Sequence, residues 1–431
     1  MNKVLVQARK VIFILNLDNM KPINFYSILI FISLFFGACG ESGPFPPDPP
    51  QGGQDTIFEM LWATRIDFDK EIVGTDNTQQ YENWVLVGGD IGFPPTLMAF
   101  NKETGEKDWE YIHSGAVQDE IDVSIVFQNI YIGMCSGGIV GIDLDTRITL
   151  WEIDLKAMNL TRGVKFDMFE NNLYFRSVWG LGSESQSTRF YKLNPSTGDY
   201  EIVYQTDKGL INPPTFYIDD NSRVNIIFNE YPWENDLPEK SVQNLIRIDY
   251  ETGEEIWRKD SISHFFSSNL LHNAVIYDNR IVITGGDWHM YAFDIITGEL
   301  LWKTSISDDS PFSIFTKTNH LIYNDRLYVN ENGENVTCLN PETGELIWNN
   351  PKGGPNCTDN MIYYEKEDLL VFTSWGYGSV MILDALNGET VHRESKYDES
   401  QYNNDIVYDE ERDMFFTSSY KHAIAFKLGG P

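Results

Sequence analysis

The chain has 431 residues, 42% of them hydrophobic and 22% charged, which is ample apolar material for a large core. Acidic residues outnumber basic ones 64 to 32, and the formal charge of −32 excludes nucleic acid, whose phosphates demand a basic surface. The four cysteines form no Cys-x-x-Cys pair and the histidines no metal-binding spacing, so no metal site is expected.

At the N-terminus, Lys21 precedes an apolar run from Phe25 to Phe36 that is too short to span a bilayer comfortably. This layout predicts a signal peptide over residues 1–38, with Met20 as an alternative start. Phe36-Gly37-Ala38-Cys39 resembles the lipobox of bacterial lipoproteins, and the resemblance implies cleavage before a lipidated Cys39. Residues 39–56 are rich in Pro and Gly and read as an extended tether. Lipid and tether together predict attachment to the outer membrane, on a side the sequence does not specify. Of the remaining cysteines, Cys135 and Cys338 fall in strand patterns as buried thiols, and Cys357 completes an odd number.

From residue 57 to 428 one hairpin recurs. Its best copy runs from Ala292 to Trp302: an apolar strand, Asp294 capping a turn, Thr297-Gly298, then a strand carrying Trp302. Further copies centre on Thr104, Thr197, Thr252, Thr343 and Asn387, and a degenerate one on Thr146 has lost its Gly but kept Trp151. The gaps are 42, 51, 55, 45, 46 and 44 residues, with only strand and turn signals inside them. That period predicts a radial array of four-stranded antiparallel blades, an all-β propeller. In the best unit the expected strands are 270–277, 280–284, 290–293 and 299–304.

Seven turns make seven blades. Glu59-Met-Leu-Trp-Ala-Thr-Arg65 then reads as a fourth strand with no blade before it. Residues 405–408, 414–418 and 422–428 supply three strands with no fourth. Joined, they make an eighth blade that closes the ring and removes the open edges. The fourth-strand tryptophans Trp62, Trp109, Trp151, Trp257, Trp302 and Trp348 are expected to wedge between blades as core residues.

The Thr-Gly-x-x-x-Trp repeat resembles the quinoprotein-type (PQQ-like) propeller repeat and covers nearly all of 57–428. Within that family, one eight-bladed propeller behind a lipobox is most similar to the propeller lipoproteins of the outer-membrane barrel-assembly (Bam) machinery. The resemblance implies a non-catalytic interaction scaffold with envelope protein partners; no local motif transfers their partner-binding residues. The family also contains quinone-dependent alcohol dehydrogenases, which often cradle the cofactor with adjacent cysteines; this chain has no Cys-Cys pair. No cofactor and no catalytic residue are therefore expected.

Propeller topology separates two faces. Turns joining the first and second strands share one face with the Thr-Gly turns, and they are short and polar. Connections between the second and third strands, and between blades, share the other face and are longer. These carry Phe93, Trp179, Trp233, Trp288, Trp375 and Tyr377, the candidate binding face for a protein partner, with a glycan as the alternative ligand.

Overall fold

Each repeat folds into one antiparallel sheet, and the unit around Thr297 shows how. In the computed structural model its strands are Val275–Tyr277, Arg280–Thr284, His289–Asp294 and Leu300–Ser305, paired in that order. Asp278 takes a left-handed φ of 51° in the first turn, and Gly298 one of 68° in the third. The second and third strands are almost wholly buried, while the fourth exposes Leu300 and Leu301. The residues described are 3–8, 11–16, 57–66, 74–90, 96–115, 121–135, 137–158, 160, 166–179, 187–232, 242–264, 273–285, 287, 289–306, 320–330, 335–352, 360–374, 379–393, 405–419 and 421–429.

Eight such sheets stand in a ring, forming an eight-bladed β-propeller. In chain order the first seven blades span 74–112, 121–154, 166–206, 209–264, 275–305, 321–350 and 362–393. The eighth is composite: Phe58–Arg65 pairs with His422–Leu428, which continues through Met414–Ser418 to Val407–Asp409. The chain ends thus seal one another, as the count of strands required. No helix occurs among the described residues. The fourth blade departs from the pattern, because its first strand is split into Gly209–Ile211 and Thr215–Ile218, both paired with Val224–Pro232. Pro213 and Pro214 lie in the break, where they cannot donate to the ladder. Separately, the compact unit Met1–Pro44 contains an antiparallel pair, Lys3–Ala8 with Val11–Asn16. Cys39 and the 39–56 tether lie outside the described residues.

A bulge recurs between the third and fourth strands of all eight blades, for example at Ala99/Phe100, Ala292/Phe293 and, in the closing blade, Met60/Trp62. Just beyond it comes the tryptophan, which packs on the next blade. An added Cβ on Gly105, Gly198, Gly298, Gly344 or Gly388 would meet the ring of Trp62, Trp151, Trp257, Trp302 or Trp348 at 3.0 Å or less. The same five indoles donate their N–H to the carbonyls of Lys102, Pro195, Ile295, Pro341 and Ala385, each the second residue of the next turn. Only Gly tolerates both the left-handed φ and the ring.

Three junctions use substitutes. In the second blade Arg147 adopts the left-handed conformation (φ 61°) where the lost Gly would stand, and its guanidinium lies 5.2 Å from the centre of the Trp109 ring. The Trp109 N–H finds no partner there among the described residues. In the third blade Ile202 replaces the tryptophan, and the facing Gly253 has nothing within 4 Å of an added Cβ. At the seventh, His392 takes the tryptophan position and Phe58 the glycine position; their rings stack at 4.8 Å with an interplanar angle of 11°.

Candidate functional face

The two faces of the ring differ in how their polar groups are used. On the turn face, the Asn or Asp that opens each Thr-Gly turn caps its own backbone. Asp294, for example, accepts from the N–H groups of Ile296 and Thr297, and the Thr297 N–H leads the interactions that hold its carboxyl below the usual range. Longer side chains tie neighbouring blades together on this face. Lys102 reaches Asp409 across the ring closure at 2.7 Å, both almost buried, and Arg412 adds bonds to Asp409 and Asn83. Arg247 donates to the Ile295 carbonyl at 2.6 Å, and Arg326 to the Ala385 and Leu386 carbonyls. Tyr277 donates to Asp325, and Tyr364 to Asp413. The described polar groups of this face are largely committed to holding the ring together.

On the opposite face the second strands end and the third strands begin, and buried polar side chains gather beneath it. Strand register makes Gly88, Met134, Arg176, Asn229, Thr284, Asn330, Thr373 and Ser418 equivalent, one per blade near the end of each second strand. All are buried, and six are polar. Thr284 bonds His320 of the next blade at 2.7 Å, and Ser418 bonds Thr78 at 3.1 Å. Asn229 accepts from Gln243, whose amide also reaches the Thr284 carbonyl while Ser263 donates to its oxygen. Burial pushes the pKa of His320 down to about 4, so the ring is neutral at pH 7. Glu230, 1% exposed, is engaged by Arg258 at 2.6 Å and by the Thr206 hydroxyl. This collar was not legible in the sequence, because its members lie in eight different repeats and no single residue type marks the position.

Of the aromatic residues assigned to this face, Trp179 is corrected from a loop to the last residue of a strand, Asn172–Trp179, where it pairs with Ser187. The pairing of Val178 with Thr188 extends the ladder to that point. Phe93, Trp233, Trp288, Trp375 and Tyr377 lie outside the described residues, although the strands flanking them end on this face. The six tryptophans assigned to the core are found at the blade junctions: Trp109, Trp302 and Trp348 are buried, and Trp62, Trp151 and Trp257 partly so. Cys135 and Cys338 are buried in different blades. Among the described residues no three His, Cys, Asp or Glu side chains converge as a metal site.

The family model described as outer membrane protein assembly factor BamB matches residues 240–428, from the fourth blade to the eighth. No curated protein matches the chain. Among solved structures, BamB from Moraxella catarrhalis is 13% identical over 86% of this chain and 100% of that chain, with a TM-score of 0.58. A europium-containing methanol dehydrogenase is 10% identical over 86% and 93%, with a TM-score of 0.65. The computationally designed Ika8 protein is 13% identical over 84% and 98%, with a TM-score of 0.57. At such identities the likeness to these structures is one of fold. Together with the family model, it makes this chain a PQQ-like β-propeller that resembles BamB.

Proposed function

We propose that this chain is a non-catalytic scaffold of the cell envelope, anchored in the outer membrane through a lipid on Cys39, whose loop face docks a protein partner. The carrying observation is the asymmetry of the ring. The described turn face closes on itself through capped turns and blade-to-blade ties, while the opposite face carries the connections to which the candidate binding residues are assigned. The family-model match and the full coverage of BamB from Moraxella catarrhalis support an assembly role of the same kind. The methanol dehydrogenase likeness concerns the fold that both proteins share. The described residues do not fit a quinone held by adjacent cysteines, since Cys135 and Cys338 stand in the second and sixth blades.

A pull-down from detergent-solubilised envelope tests the reading. Replacing Trp179, Trp233, Trp288 and Trp375 with Ser should leave the fold intact and remove specific partners, at roughly 2 kcal/mol or more for a true anchor. Retention of every partner by the quadruple variant would refute the docking face, and binding on a glycan array would redirect it to a sugar ligand. Dye-linked alcohol oxidation with added pyrroloquinoline quinone and calcium should be absent; robust turnover would make the chain a dehydrogenase.

A further inference from the structure

At three junctions the collar residue is set against the first-strand region of the next blade. Thr284 meets His320 and Ser418 meets Thr78, polar against polar. Met134 and Phe166 share one apolar cluster. The junction of the third and fourth blades places a charged residue in the collar. Arg176 lies on the face of the third blade that packs against the fourth. Its register partner Phe190 sits edge-on to Phe228 at 5.5 Å, and Thr188, on the same face, donates to the Gly209 carbonyl at 2.9 Å. The fourth-blade position equivalent to His320 and Thr78 is Pro214, whose ring offers neither donor nor acceptor. It is also where that first strand breaks.

Arg176 is 7% exposed, its Nε has no hydrogen-bond partner, and no carboxylate pairs with it among the described residues. The buried carboxylate of Glu230, on the fourth blade, is held by Arg258. Among the described residues, Tyr231 acts on Arg176 electrostatically, and burial raises its own pKa, which keeps the phenol neutral. Burial lowers the pKa of Arg176 to about 10, which leaves the guanidinium charged at pH 7. A buried cation without a counter-charge is costly. In a chain with a formal charge of −32, an unmatched buried cation is the opposite of the prevailing surface chemistry.

We propose that Arg176 is the receiving group of an oxyanion subsite between the third and fourth blades, taking the carboxylate or phosphate of a small ligand. The planar fork of a guanidinium matches both groups through two parallel N–H donors. The subsite is independent of the docking role proposed above.

Calorimetric titration of the purified full-length protein tests this, with inorganic phosphate in one arm and acetate in the other, at constant ionic strength. One equivalent should bind in at least one arm, and the arm that binds identifies the anion class. Arg176→Met should weaken that binding at least tenfold, Arg176→Lys by less, and the melting temperature of anion-free Arg176→Met should equal or exceed the parent's. Binding of neither anion by the parent protein overturns the proposal, as does undiminished binding by Arg176→Met. Should Arg176→Met fail to fold, a crystal of the parent protein soaked in the binding anion decides: density within hydrogen-bond reach of the Arg176 guanidinium supports the subsite, and its absence there refutes it.

Discussion

Two glycines in equivalent turns separate backbone strain from packing. Gly344 has φ +72°, and an added Cβ would fall 2.6 Å from two ring carbons of Trp302 and 2.7 Å from the Thr304 hydroxyl. Gly253 has nearly the same φ, +70°, with nothing within 4 Å. Alanine at either site carries the left-handed penalty of roughly 1–2 kcal/mol. At Gly344 the indole must also retreat by about 1 Å to restore ordinary contact. That movement stretches its 3.1 Å bond to the Pro341 carbonyl, and such overpacking costs roughly 1–3 kcal/mol more. Gly253→Ala should therefore lose about 1–2 kcal/mol and Gly344→Ala about 2–5 kcal/mol. Urea denaturation reads the difference directly, provided the slope of the transition is unchanged. In a Trp302→Leu background the excess at Gly344 should shrink to what the Thr304 contact imposes, which a double-mutant cycle measures. Equal losses at the two glycines would mean that the Trp–Gly contact does not constrain the turn, and the wedge mechanism would be wrong.

His320→Gln should flatten the acid limb of stability. The folded pKa of His320 lies near 4, below the ordinary histidine value, so its contribution is complete above about pH 6.5 and is lost as pH falls towards 4, on the order of 3 kcal/mol in all. A variant with the parent's slope in that window would exclude His320 as the source. Lys102→Met should cost about 1.5–3 kcal/mol by leaving Asp409 at the ring closure with Arg412 as its remaining cation. Burial alone would raise the Asp409 carboxyl, but the Lys102 and Arg412 bonds outweigh it and hold it low. Its contribution is thus present above the ordinary carboxylate range and fades only as pH drops below about 4, and the variant should weaken that dependence in acid melts. Deleting residues 57–66 removes the strand that pairs with His422–Leu428 and should cause aggregation or a large loss of stability; unchanged melting would contradict the closure. Cys39→Ser should abolish labelling by a fatty-acid probe, and a wild type that takes up no label would end the lipoprotein reading.

Much of the architecture was legible along the chain because the repeat is local. Asp294, Thr297, Gly298 and Trp302 sit within nine residues, so turn chemistry and the wedge position are written in one window and recur at each blade. Counting the leftover strands at the two ends was enough to foresee the composite eighth blade, since a closed ring admits no unpaired edge. Strand ends were less legible: Trp179 reads as loop by its neighbours, yet the Val178–Thr188 and Trp179–Ser187 pairs carry the ladder through it. What crosses between blades was decided only by the tertiary structure. That His392 and Phe58 stand in for a tryptophan and a glycine depends on two segments more than three hundred residues apart meeting at the seam. The turn at Thr146 read only as a copy that had lost its Gly, whereas Arg147 holds the left-handed backbone there and its guanidinium lies over Trp109. Arg176 reads as an ordinary polar residue in a strand until the fourth blade sets Pro214 at the facing position. A blade's own sequence specifies its hairpins because those contacts are short-range; whether a buried charge finds a partner depends on the neighbouring blade, and that neighbour is known only once the ring has closed.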